Sequence, residues 1–181
     1  GGLVCYPTDT TYALGCAIGE KDALDKLIRL RRLDDKHQFS ILCADLSEIA
    51  TYAKVENPDY RLLKAHTPGP YTFILRATHE LPRRLMHPKK RTIGIRVPDH
   101  PICQALLREL GAPLMTSTLH LPDEEFPLTD PYDIEMALDG RVDLIIDGGH
   151  CGAEETTVVS LAEDGGPEIV RAGAGPTDSI F

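Results

Sequence analysis

No stretch of this 181-residue chain approaches the roughly 18 consecutive apolar residues that a membrane-spanning helix needs. The charged, apolar and small-residue succession of a signal peptide is missing as well. These absences predict a soluble, cytoplasmic protein with no membrane partner. Positive charge is also in short supply, since 19 Lys and Arg stand against 28 Asp and Glu, for a formal net charge of −9. A uniformly basic, nucleic-acid-binding surface is therefore excluded, whereas a local basic patch is not. The five cysteines (Cys5, Cys16, Cys43, Cys103 and Cys151) are odd in number and form no C-x-x-C pair, and three of them fall inside apolar segments. They read as reduced, packed thiols. The seven histidines show no i, i+4 pairing and no cysteine partner, so no structural metal is expected. The Walker pattern G-x-x-x-x-G-K-[ST] occurs nowhere. No repeat, linker or low-complexity tract divides the chain, and its length suits one domain over residues 1–181. It opens on Gly1-Gly2 with a strand following at once, so a short upstream segment is expected to be missing.

What is present is an apolar periodicity that switches between two and about 3.6 residues, the mark of an α/β or α+β domain. Leu3-Val4-Cys5 reads as a strand that Pro7 ends, because proline cannot donate to a β-ladder. Leu24, Leu27 and Ile28 form a helical stripe that ends near Arg31. Strands are predicted over 39–43, 71–75, 92–97, 114–117, 142–147, 157–161 and 168–171. Helices are predicted over 60–65, stopped by Thr67-Pro68-Gly69-Pro70, from Pro101 to a stop at Gly111, and over 130–138. The expected architecture is one twisted, mixed sheet flanked by helices.

Several strand ends share a chemistry. The run Thr8-Asp9-Thr10 follows the first strand, Arg96 sits in another, Thr116-Ser117-Thr118 closes a third and Thr156-Thr157 opens a fourth. Arginine binds phosphate or carboxylate through paired, charge-assisted hydrogen bonds, and threonine adds neutral donors, so the set suits an anionic ligand. The plain alternative for the first run is a threonine-rich turn that caps its own backbone. Arg96 lies between Ile95 and Val97, and a buried guanidinium needs either an acidic partner or a ligand.

Six segments occur in an order that resembles the YrdC-like family, the threonylcarbamoyl-AMP synthases. They are Tyr6-Pro7-Thr8-Asp9-Thr10 through Gly15, Thr67-Pro68-Gly69-Pro70-Tyr71-Thr72-Phe73, Thr92 through Pro101, Pro113-Leu114-Met115-Thr116-Ser117-Thr118, Thr156-Thr157-Val158-Val159, and Val170-Arg171-Ala172-Gly173. The details look most like the YciO-like branch. The resemblance implies an α/β fold with a large, positively lined cavity. It also implies a nucleotidyltransferase that joins L-threonine, bicarbonate and ATP, with Mg²⁺, into threonylcarbamoyl-AMP and pyrophosphate for tRNA modification. Carried across by motif, Thr10, Arg96, Thr116 and Thr156 would face threonine or its carbamate. Arg31, Arg32, Lys36, Thr92, Thr118 and Arg171 would face the nucleotide. No side-chain nucleophile is implied.

Two motifs depart from the family pattern. Its Lys-x-Arg-Pro corresponds here to Leu30-Arg31-Arg32-Leu33-Asp34-Asp35-Lys36-His37. In one register Leu30 replaces the lysine and Leu33 the proline; in the other, shifted by one residue, Arg31 replaces the lysine and the arginine is lost. Helical spacing turns Arg31, rather than Arg32, toward the body. The family's Ser-x-Asn becomes Thr118-Leu119-His120. Basic residues also cluster at Arg29-Leu30-Arg31-Arg32 and at Arg83-Arg84 through Lys89-Lys90-Arg91, which supports an alternative role as an RNA-binding module without turnover.

Overall fold

Strand β1 (Val4–Pro7) folds back directly into β2 (Tyr12–Ala17) in the computed structural model, which describes residues 1–181. The turn between them is held by Thr8, whose hydroxyl donates to the Thr11 carbonyl at 2.6 Å and accepts from the backbone N–H groups of Thr10 and Thr11. Helix α1 (Lys21–Arg31) follows, then β3 (Ser40–Leu42), the short α2 (Ile49–Tyr52) and α3 (Asn57–His66). The cis Thr67–Pro68 bond leads into β4 (Tyr71–Arg76), and a loop containing the 3₁₀ turn Arg83–Leu85 connects it to β5 (Thr92–Arg96). Next come α4 (Pro101–Leu110), β6 (Leu114–Thr118), α5 (Pro131–Leu138) and β7 (Leu144–Ile145). Strands β8 (Thr157–Ser160) and β9 (Glu168–Arg171) complete the chain's regular structure. The nine strands form one mixed sheet in the order β7-β1-β2-β6-β3-β5-β4-β8-β9.

The expected α/β, helix-flanked mixed sheet is therefore present, with two additions and one contraction. Strand β2 was not expected, because Tyr-Ala-Leu-Gly-Cys-Ala is built largely of small residues with weak β preference. The pair of short turns over Leu46–Glu48 and Ile49–Tyr52 has too few residues to show a helical period. The strand expected over 142–147 contracts to Leu144–Ile145, which pairs only with the start of β1.

Residues paired on neighbouring strands point to the same face, so the register defines two faces. One is apolar and carries Cys5, Leu14, Cys16, Met115, Ile41, Ile95 and Phe73, covered by side chains such as Leu27, Ile49, Leu63 and Ile134 in a core of 30 buried residues. On the opposite face, α4 packs Cys103 and Leu107 onto Tyr6, Ala13, Leu42 and Leu114, a core of only six. Helix α4 covers one end of that face and leaves the rest open. A transverse row of Gly15, Thr116, Ser40, Gly94, Ile74 and Ser160 crosses the open part, small or hydroxylated at every position but Ile74.

Gly94 sits at the centre of this row, where a Cβ would collide with the Ser40 hydroxyl and approach Thr72 Cγ2 to 3.0 Å. Gly94→Ala should therefore force Ser40 aside and destabilise the fold by about 1–3 kcal/mol. In a domain of this size each kcal/mol lowers the thermal midpoint by about 2–4 °C. A calorimetric midpoint equal to that of the unmodified protein would contradict this packing.

Candidate active site

The open half of the second face floors a cavity of about 300 Å³. Its walls bring together Thr10 from the β1–β2 turn, Arg96 from β5, Thr116 and Thr118 from β6, Thr156 just before β8 and Arg171 from β9. Arg31, the last residue of α1, closes one side. Seven of the ten residues expected from the sequence thus share one cavity. The lining also includes His37, Gln38, Ser40 and Glu155, which sequence spacing did not single out.

The other three expected residues lie elsewhere. Lys36 and Thr92 line an adjoining cavity of about 290 Å³, which shares Gln38, Ile74 and Val170 with the first. Gln38 bridges the two, accepting from the Thr92 hydroxyl at 2.7 Å and donating to its carbonyl at 3.2 Å. Arg32 reaches neither cavity. It caps α1 in a left-handed conformation (φ 53°), and its side chain, 70% exposed, points to Asp123 at 3.7 Å. Helical spacing explains the difference, since Arg31 continues the buried stripe while Arg32 lies past the helix end. Leu30 is buried in the main core. Of the three consecutive residues Leu30, Arg31 and Arg32, only Arg31 therefore reaches the cavity.

Each cavity cation is held by a partner. Arg31 donates to the Ser117 hydroxyl at 2.5 Å and to the His120 carbonyl at 3.2 Å. Burial lowers its pKa from the ordinary arginine value, with Glu155 opposing the shift, and guanidinium remains charged at neutral pH. Arg171 donates to the Thr156 carbonyl at 2.8 Å and lies 3.6 Å from the Glu155 carboxylate. It thereby fixes Thr156, whose hydroxyl also meets that of Thr72 at 2.7 Å. Thr116 is backed by the fully buried Tyr6 hydroxyl at 2.5 Å, so its orientation is set from the packed half of the same face. Burial, reinforced by Arg31, depresses the pKa of His37 below the ordinary imidazole value, favouring the neutral ring in the cavity wall.

The sequence leaves Arg96 an acidic partner or a ligand, and the family resemblance points to the ligand, without a structural acid. The structure supplies the acid: Nη2 contacts Asp9 Oδ1, and the two side chains are 8% and 11% exposed. Asp9 Oδ2 also accepts from the Asp99 backbone N–H at 3.0 Å. The expectation of an arginine without a structural counter-ion is corrected, because a guanidinium inside an apolar strand requires charge compensation. The guanidinium still lines the cavity, and its Nε is buried without a hydrogen-bond partner.

The first threonine run serves both purposes weighed from the sequence, since Thr8 caps the turn while Thr10 faces the cavity. Four cysteines are buried, Cys151 is half-buried and none is disulfide-bonded, as the packed-thiol expectation required. Burial pushes Cys5 and Cys103 up to about 12, so neither supplies a thiolate at neutral pH.

Comparison with known proteins places this geometry. The Sua5/YciO/YrdC family model, described as "Telomere recombination", matches residues 1–173. YciO from Escherichia coli K12 is 51% identical over 175 residues, covering 97% of this chain and 84% of that protein. Its crystal structure superposes with a TM-score of 0.95 at 49% identity, over 100% of this chain and 87% of the other. The threonylcarbamoyl-AMP synthase of Bos taurus is 31% identical over 182 residues, covering 96% of this chain and 64% of the synthase. The crystal structure of P. abyssi Sua5 complexed with L-threonine gives a TM-score of 0.90 at 26% identity, over 99% of this chain and 52% of that protein. No helix is long and apolar enough to cross a membrane. With a family model spanning nearly its whole length and a relative sharing half its residues, the chain belongs to the Sua5/YciO/YrdC family.

Proposed function

We propose that the cavity binds L-threonine and ATP and makes threonylcarbamoyl-AMP. The observation that carries this reading is the convergence of three arginines (Arg31, Arg96 and Arg171) with the hydroxyls of Thr10, Thr116, Thr118 and Thr156 on one half-covered sheet face. Synthase relatives at 31% identity and the threonine-bound Sua5 structure add support. Cavities of about 300–1,000 Å³ are typical for small ligands, and the adjoining space beside Lys36 and Thr92 extends the volume for a nucleotide.

In this reaction bicarbonate dehydrates to carbon dioxide and hydroxide, the threonine nitrogen attacks the carbon dioxide carbon, and the proton it loses as the N–C bond forms joins the hydroxide as water. A carbamate oxygen then attacks the α-phosphorus, the bond to the β-phosphate's bridging oxygen breaks, and pyrophosphate departs. Neither step needs a protein nucleophile, in keeping with the high thiol pKa values. The protein's work is orientation and charge stabilisation, with Arg96 and Thr10 assigned to the amino acid and Arg31, Lys36 and Arg171 to the phosphates. Mg²⁺ would enter with ATP and neutralise phosphate charge. No three His, Cys, Asp or Glu side chains gather into a cage, and nucleotide-borne Mg²⁺ needs none, because phosphates and water supply most of its ligands. Glu155 is the cavity carboxylate able to meet that ion's coordination shell.

A specific feature also favours RNA as a second partner. A separate groove of about 770 Å³ on the β4–β5 side is lined by Lys54, Arg76, Arg83, Lys90 and Arg91, with no carboxylate in its lining. It shares His87 and Lys90 with the cavity beside Thr92. Arg84 is set apart from this groove by its contact with Asp25 at 2.6 Å.

Three outcomes follow. Pyrophosphate release from Mg²⁺-ATP should require L-threonine and bicarbonate together, and release independent of either would contradict the assignment. Arg31→Ala should lower kcat/KM by roughly 30- to 1,000-fold, equivalent to losing about 2–4 kcal/mol of transition-state stabilisation, while Arg32→Ala leaves it unchanged. Equal effects at both positions would remove Arg31 from the site. Filter retention of RNA should be weak and non-specific at low salt and fall steeply toward physiological salt. Absence of retention at low salt would end the RNA reading.

A further inference from the structure

Arg96 is an under-satisfied cation. Of its three guanidinium nitrogens, only Nη2 has a protein acceptor, and Nε is buried with none. The single acceptor is Asp9, which is itself nearly buried and does not line the cavity. Asp9 stands behind the arginine, as Tyr6 stands behind Thr116. Its second oxygen is taken by the Asp99 N–H, so the carboxylate cannot turn without breaking a bond to the loop that precedes α4. A further tie binds the same region, since Cys103 of α4 donates to the Pro7 carbonyl. The Asp9 carboxylate is thus the fixed element of the pair, and the long arginine side chain is the one whose direction it sets.

We propose that Asp9 is a positioning residue for amino-acid recognition: by engaging one edge of Arg96 from behind, it directs the remaining guanidinium donors toward the substrate carboxylate in the cavity. The inference rests on the threonine-binding reading above. It also bears on specificity. A guanidinium already paired with one carboxylate is close to neutral as a unit, so it holds a second carboxylate through directed hydrogen bonds rather than through bulk charge. A ligand whose carboxylate is replaced by a carboxamide keeps the size and loses the acceptor set. Asp9 should therefore set the preference for L-threonine over L-threoninamide.

Calorimetric titration of L-threonine, L-threoninamide and ATP separates positioning from mere structural support. The native protein should bind L-threonine well in preference to the amide. In Asp9→Asn, which keeps the shape and removes the charge, the Kd for L-threonine should rise roughly 10- to 100-fold, the range set by loss of one charged hydrogen bond. The Kd for L-threoninamide and for ATP should stay as in the native protein. Asp9→Glu, which retains the carboxylate, should recover part of the preference. If Asp9→Asn folds with its threonine-over-amide preference intact, or if all three ligands weaken alike, the positioning role is overturned while the functional reading stands. If Asp9→Asn does not fold, the preference in Asp9→Glu decides: values indistinguishable from native with a displaced carboxylate overturn the proposal, and a selective loss of threonine affinity supports it. Failure of the native protein itself to bind L-threonine would instead overturn the functional reading.

Discussion

A positive charge buried in the middle of a sheet cannot stand alone, and the contact between Arg96 and Asp9 resolves that constraint. The solution joins three distant parts of the chain: the turn after β1, the end of β5 and the loop into α4. Beside this junction, α4 packs on the neighbouring end of the sheet, over Tyr6, Ala13, Leu42 and Leu114. The remainder of that face is left uncovered, and Arg96 lies at the border between packed and open halves. Removing either partner of such a pair strands the other charge in a region poorly reached by water, at a typical cost of about 3–5 kcal/mol. The same pair therefore serves the fold and the cavity.

The open half-face is a surface that an ordinary core would have filled with aliphatic side chains. Apart from Ile74, the row across it is instead glycine, serine and threonine, in register over six strands. Hydroxyls there engage one another, as Thr72 with Thr156 and Thr116 with Tyr6. Such networks are stiff because each polar group in a poorly hydrated setting is costly to leave unpaired. A stiff floor with arginines around its rim orients an anionic ligand at little further entropic cost, which is the requirement of a reaction that proceeds by placement and charge stabilisation.

Much of this was legible in the sequence, and the gaps have physical causes. The strands around Phe73, Ile95 and Met115 announce themselves through β-rich apolar runs, and the hydroxyls at 116–118 and 156–157 stand out at their ends. Strand β2 does not, because the glycine and alanine that let Gly15 lie against Met115 and Tyr6 carry little local preference for β structure. The stripe Leu24, Leu27, Ile28 correctly separates Arg31 from Arg32, since helical spacing depends on local sequence alone. Asp9, by contrast, is visible as a carboxylate among threonines, but its partner is 87 positions away. Only the tertiary arrangement brings that carboxylate to Arg96 while leaving the guanidinium in the cavity wall. Glu155 and Gln38 escaped notice for the same reason, as polar residues beside strands whose roles depend on which wall they reach.

The most direct measurement follows the carbon. Incubating the protein with L-threonine, Mg²⁺-ATP and ¹³C-bicarbonate, then analysing the nucleotides by mass spectrometry, asks whether the cavity joins all three components. A synthase site yields a threonine-bearing AMP adduct that carries the labelled carbon in its carbamoyl group and disappears when threonine is omitted. Recovery of ATP unchanged, or of AMP without a labelled carbamoyl group, would contradict it.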